Sequence, residues 1–358
     1  MPNAPLPRSL RLPACRVLGC ALATLVALLS AAGCGDSSGS RPADFTGDGP
    51  FAVGNATLQL HDAARDRDLT VEVWYPATVP PGASKGAPVQ DFYPPGVERE
   101  RYAELLAASP DPGPSRRTRS ARDAVPAREG APWPLIVFSH CHDCTRFSSF
   151  SIAERLASHG FVVAAPDHAG NILFDERLGL NVDTLRLRAA DVSFVLTALL
   201  AVSSGAEELP VELQGAFDAT RAGVFGHSFG GVTTGLVLQD DARFRAGAAI
   251  AAPFENPLLP GIEMARVDEP VLFLVAREDN SITELGNQFI RDNFAATRAP
   301  SWKVEVADAG HWSFSDGLAI GESYVTAFFA AELRGEEQGR SFLAVARPPG
   351  IVDVSSRP

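Results

Sequence analysis

The chain has 358 residues, 46% of them hydrophobic, and a formal charge of −12. That hydrophobic share supplies a packed core and excludes a disordered chain, and the length suits one large domain or two modest ones. The acidic balance argues against nucleic acid or an anionic lipid surface as an electrostatic partner.

Arg8, Arg11 and Arg16 lead into an uncharged apolar run, Val17 to Ser30, that is too short for a comfortable bilayer span. Residues 1–33 therefore read as a signal peptide. Ala31 to Cys34 (AAGC) resembles the lipobox of bacterial lipoproteins, with Ala31 in place of the usual Leu. The resemblance implies cleavage before Cys34 and lipidation of that cysteine; the alternative is an ordinary cut near Ala32. A flexible tether, 34–50, rich in Gly and Ser, follows.

Loss of residues 1–33 removes three Arg and no acid, leaving 28 bases against 43 acids and a charge of −15. Membrane attachment would then come from the acyl chains, each buried methylene contributing about 0.8 kcal/mol. Cys15 and Cys20 leave with the signal, so Cys141 and Cys144 are the cysteines left in the folded part, in a compartment that permits disulfides.

From Thr57 on, short apolar runs alternate with helix-period segments. Leu69–Pro76 alternates as a half-buried strand does, whereas Pro134–His140, Phe161–His168 and Val271–Asp279 are continuous apolar strands of the kind buried on both faces. Helical spacing lies between them at 149–160, 184–202 and after Ser228. The order predicts an α/β fold, a mostly parallel sheet flanked by helices, over 51–335. Residues 78–131, rich in Pro, Gly and charge and carrying the basic cluster Ser115–Arg122, read as an exposed insertion, with a lid as the alternative. The tail 336–358 receives no assignment, and there is no internal repeat.

The most specific motif is G-x-S-x-G at Gly226, His227, Ser228, Phe229 and Gly230, preceded by an apolar strand and followed by a helical stretch. A serine on so tight a strand-to-helix turn needs glycine on both sides, and the helix N-terminus sets a positive dipole beneath developing negative charge. Ser228 is the candidate nucleophile. In the chain order of nucleophile, acid and base, His311 is the one histidine that follows it. The acid is expected at the preceding strand end: Asp279, with Glu278 as fallback and Asp308 as a loop cap. His227, next to the nucleophile, points elsewhere from the elbow and is not the expected base; His140 and His168 read as structural.

The runs at Val71–Pro76, Pro134–His140, Glu154–Asn171, Arg188–Leu196 and Phe225–Gly231 together resemble bacterial α/β-hydrolases of the dienelactone hydrolase, platelet-activating-factor acetylhydrolase and polyester-cleaving cutinase-like groups, a likeness over Leu69 to Phe329. It implies a serine esterase with no metal or cofactor. Relatives of the acetylhydrolase branch carry the acid just after the strand following the nucleophile. Here that place reads AAIAAPFEN, Ala248 to Asn256, with no Asp, so the acid at Asp279 resembles the other two groups.

The resemblance also implies that the loop after Pro134–His140 supplies an oxyanion N–H. His142 stands at the donor position and Cys141 replaces a glycine; the second donor is the N–H of Phe229. Cys141 and Cys144 then read as a local disulfide that stiffens this loop, the alternatives being a free thiol pair or a zinc site. Phe254, Trp312 and His142 are candidate acyl-pocket residues. The expected activity is hydrolysis of a carboxylic ester, small-molecule, lipid or polymer, by a lipid-anchored exported protein. Lactone or polyester hydrolysis, a silent binding lipoprotein and a thiol oxidoreductase on Cys141 and Cys144 are the alternatives.

Overall fold

The structure, a computed structural model, describes residues 44–79, 86–108, 117–175, 177–203, 213–315, 317–345 and 351–358. The signal segment, Cys34 and the tether up to residue 43 lie outside them.

Antiparallel strands β1 (Ala52–Asp62) and β2 (Arg67–Thr78) lead into helix α1 (Val97–Ala108) and two short strands, β3 (Ala121–Arg122) and β4 (Val125–Pro126). Then the alternation begins: β5 (Trp133–Ser139), α2 (Phe150–Ser158), β6 (Val162–Pro166), α3 (Val182–Ser203), β7 (Phe217–His227), α4 (Phe229–Asp240), β8 (Phe244–Ile250) and β9 (Val271–Ala276). It ends with α5 (Thr283–Ala296), β10 (Ser301–Val306), α6 (Ala319–Arg334), α7 (Glu337–Leu343) and β11 (Ile351–Arg357).

Among the described residues one sheet runs in the order β11-β10-β9-β8-β7-β5-β6-β2-β1-β3, with β4 on β2. Strands β5 to β10 are mutually parallel, and β2 and β11 flank them antiparallel. Strands β5, β6 and β9 are buried at every residue, as expected where helices cover both faces. The chain goes from β5 to β6 on one side and returns with β7 on the other. Open α/β sheets bind ligands at such a switch point, beyond the carboxyl ends of the strands.

Three sequence-based boundaries change. The tether ends earlier than 50, because Phe45 is buried, stacked 5.5 Å from His159 and edge-on 5.6 Å from Phe342, and the Gly49 N–H donates to Ser158 Oγ at 2.9 Å. The 78–131 segment is no exposed loop where it is described. Val89, Phe92, Tyr93 and Tyr102 are buried, and Tyr93 Oη donates to Thr145 Oγ1 at 2.6 Å. Two arginines of its basic cluster have internal partners: Arg119 meets Asp48 at 2.7 Å and Glu154 at 3.3 Å, and Arg122 meets the buried Glu72 at 2.5 Å.

The 336–358 tail belongs to the domain as well. Strand β11 pairs along β10, and α7 buries Phe342 and Leu343. Phe342 is wedged between Phe45 and Tyr324, whose ring centroid lies 5.2 Å away. Phe342→Ala removes a buried ring that clasps both ends of the domain; it is expected to cost about 3–5 kcal/mol, read as a lowered urea midpoint with unchanged slope.

Candidate active site

Ser228 sits between β7 and α4 at φ 55°, ψ −124°, a conformation that costs a non-glycine residue about 1–3 kcal/mol. The surroundings impose it. The Ser228 N–H donates to the Ile250 carbonyl at 2.9 Å, and the Ser228 carbonyl accepts from Gly231 and Val232 at 2.8 and 3.2 Å, opening α4. A Cβ on Gly226 would run into the Gly230 carbonyl, and one on Gly230 into the Ser139 carbonyl. Phe229 is the first residue of α4, where amides have no intrahelical acceptor.

His311 leaves the end of β10 and Asp279 the end of β9. His311 Nδ1 donates to Asp279 Oδ2 at 2.6 Å, which in the neutral ring leaves Nε2 as the unprotonated nitrogen. Asp279 Oδ1 accepts the N–H groups of Ser281 and Ile282 at 2.8 and 3.0 Å. Burial pushes this carboxyl up, but the His311 bond and the two amides outweigh burial and hold it below its ordinary value. Glu278 and Asp308 are exposed and take no part in the pair.

The residue before Ser228 ties His311 to the elbow. His227 is fully buried; its Nε2–H donates to the His311 carbonyl at 2.8 Å, its Nδ1 faces Ser315 Oγ at 3.0 Å, and the two imidazoles lie 4.8 Å apart. Burial, helped by repulsion from His311, lowers its pKa to about 3, so it remains neutral and keeps this tautomer. His140 and His168 are also wholly buried, as the sequence reading had them.

The loop after β5 carries the bonded Cys141–Cys144 pair, with Cα atoms 5.2 Å apart and Asp143 at φ 52° between them. That bond occupies both sulfurs. No group of three or more His, Cys, Asp or Glu residues among the described ones is placed to hold a metal. His142 packs edge-on to Phe229 with ring centroids 6.0 Å apart, which brings the two expected oxyanion residues together.

A cavity of about 220 Å³ opens on Ser228 and is lined chiefly by apolar side chains, among them Val232, Leu259, Ile282, Leu285 and Phe289. The pocket residues expected from sequence are elsewhere. Phe254 is core, 5.0 Å from Phe273, Trp312 is an exposed ring edge-on to His227 and His311, and the ring of His142 does not line this space. Besides Ser228, Phe229 and Val232 at the start of α4, most of the lining comes from the β8–β9 connection and the first turns of α5, where no motif marks it in the sequence.

Behind the loop lies a polar layer in which His168 is joined by Asp191, Arg65 and Arg67, three residues with no assignment from the sequence. Asp191 on α3 accepts from Arg65 at 2.7 Å, Arg67 at 2.8 Å and His168 Nδ1 at 3.0 Å. Burial opposes its charge, yet the His168 and Arg67 bonds bring its pKa to about 2. Burial and the neighbouring Arg188 lower His168 to about 4.

A twisted, mostly parallel sheet covered by helices, with a strained serine elbow at its switch point and a histidine–carboxylate pair at adjacent strand ends, defines an α/β-hydrolase. Known proteins agree. The family model for platelet-activating factor acetylhydrolase, isoform II, matches residues 45–172 and 175–345, and the chain belongs to that family of ester hydrolases. It is 27% identical over 278 residues to the platelet-activating factor acetylhydrolase of Cavia porcellus, covering 64% of this chain and 59% of that one. It is 32% identical over 184 residues to that of Canis lupus familiaris, covering 42% and 41%. The chain thus spans less than two thirds of the length of these curated relatives. A ferulic acid esterase from Streptomyces cinnamoneus superposes with a TM-score of 0.62 at 25% identity, covering 83% of this chain and 93% of that one. The place after β8, where the acetylhydrolase resemblance puts the acid, is here pocket wall, Ala251 to Pro253.

The neutral buried imidazoles make stability depend on pH. Below the ordinary value of about 6.5 the unfolded chain takes up protons that folded His227 and His168 refuse until about 3 and 4. Stability is therefore complete above pH 6.5 and falls with acidification, by about 1.4 kcal/mol per pH unit for each such ring. His227→Gln keeps a donor for the His311 carbonyl, and urea melts between pH 4 and 6 should show a slope shallower by about that amount.

Proposed function

We propose that this chain is a serine carboxylic-ester hydrolase. Ser228 Oγ attacks the ester carbonyl, His311 Nε2 takes its proton and returns it to the leaving alcohol, and Asp279 holds the imidazole and stabilises the imidazolium. The N–H groups of His142 and Phe229 receive the oxyanion, and water then hydrolyses the acyl-enzyme by the same steps. The observation that carries this reading is the 2.6 Å Asp279–His311 bond beside an elbow whose serine faces an apolar cavity. The cavity's lining suits an uncharged apolar part of the ester. Platelet-activating factor and ferulate are named for the relatives; for this chain the proposal is the wider class of carboxylic esters.

Hydrolysis of p-nitrophenyl esters of graded acyl length tests it. Ser228→Ala should lower kcat by at least about 10⁴-fold without unfolding the protein. An inert wild type, or activity that survives in Ser228→Ala, overturns the reading.

We further propose that residues 1–33 are removed on export and that Cys34 is lipidated, which leaves Gly35 onward as a link to the membrane. Mass spectrometry of the N-terminal peptide is expected to find Cys34 first in the chain and carrying a diacylglyceryl group; an unmodified start near residue 33 refutes this.

A further inference from the structure

We propose that Arg188 is the positioning residue of the oxyanion hole, aiming the His142 N–H and seating Phe229 from behind. The proposal rests on the serine-esterase reading above. Arg188 lies on α3 and is fully buried. Its hydrogen bonds go to carbonyls, an amide and a hydroxyl instead of a carboxylate. Nη2 donates to the His140 carbonyl and, at 3.2 Å, to Ser139 Oγ; Nη1 donates to Asn171 Oδ1 at 2.5 Å and reaches the Cys141 carbonyl at 3.5 Å.

The Cys141 carbonyl and the His142 N–H belong to one planar trans peptide and point in opposite directions. Drawing that carbonyl toward the protein interior turns the N–H outward. Two donors draw it: the Arg188 guanidinium and His140 Nδ1–H, at 2.7 Å. His140 is fixed in this tautomer, because its Nε2 accepts the His168 N–H at 3.1 Å and burial, with Arg188 and His168 nearby, keeps the ring neutral. Asn171 closes the circuit from the other side, donating to His142 Nδ1 at 2.7 Å while it holds Arg188.

The same guanidinium stacks on the Phe229 ring, 4.8 Å from Cζ to centroid. One rigid group thus touches the peptide before the first donor and the side chain of the second. Burial costs Arg188 dearly, and its Nε has no hydrogen-bond partner among the described residues. A purely structural position would be filled more cheaply by an apolar side chain.

The test compares Arg188→Lys and Arg188→Gln with wild type, with active sites counted by the p-nitrophenol burst from an organophosphate. Per counted site, kcat on a short p-nitrophenyl ester should fall about 10–100-fold, short of the 10²–10³ typical for deleting a donor outright. KM should change less than about threefold, since ground-state binding lies in the apolar cavity. Inhibition by an alkyl trifluoromethyl ketone, whose adduct carries the oxyanion, should weaken by the same factor as kcat, with Lys milder than Gln. Should both variants fail to fold, Asn171→Ala carries the test, with an expected loss of about 5–20-fold in both readouts. Unchanged kcat and ketone affinity per counted site, with only melting temperature or site count reduced, overturns the proposal and leaves the esterase reading standing. A wild type without a burst, or one whose activity survives Ser228→Ala, overturns both.

Discussion

The start of α4 approaches the end of β5 so closely that no side chain fits between them. A Cβ on Gly230 would occupy the place of the Ser139 carbonyl, and one on Gly226 that of the Gly230 carbonyl. This contact fixes the rest of the site. It holds Ser228 at positive φ, sets the first turn of α4 against the loop that follows β5, and so brings Phe229 beside His142. The parallel strands then carry Asp279 and His311 to the same edge of the sheet from β9 and β10.

Behind this edge the protein keeps ionisable groups in one defined state each. His140, His168 and His227 are buried and neutral, and each has its ring nitrogens matched to a carbonyl, amide, hydroxyl or carboxylate. Asp191 stays charged because two arginines and His168 converge on it, and Glu72 is joined by Arg122 and Arg146 despite a burial that pushes its pKa up. Such networks are expensive if half-satisfied and stiff when complete. Here they stand behind the loop after β5, whose two cysteines are bonded to each other. The loop is thus held both from within and from below.

Much of this could be read from the amino acids because steric demands leave local traces. The glycines at 226 and 230 mark the elbow, and the continuous apolar runs at β5, β6 and β9 mark strands buried on both faces. The carboxylate that pairs with His311 is legible for the same reason: a strand end before His311 offers few carboxylates. What escaped were features whose meaning depends on distant partners. Phe342 and Leu343 follow a polar stretch and look like tail until Phe45 and Tyr324 are seen around Phe342. Arg188 and Asp191 have the spacing of a solvated helix face, yet both are buried. The arginines of 115–122 read as surface charge, although Arg119 and Arg122 meet Glu154 and Glu72 from elsewhere in the chain. The pocket wall comes from ordinary leucines and isoleucine that the connections after β8 and β9 and the first turns of α5 gather around Ser228.

The clasp at Phe45 also sets a direction. Gly49 and Phe51 bond to Ser158, and Phe45 stacks on His159, at the end of α2 just before β6 begins. That is the amino end of the parallel strands, whereas the cavity over Ser228 lies beyond their carboxyl ends. Phe45 and its partners therefore mark the pole of the domain opposite the cavity. A load applied at Phe45 would reach the floor of the domain first and the rim around Ser228 last.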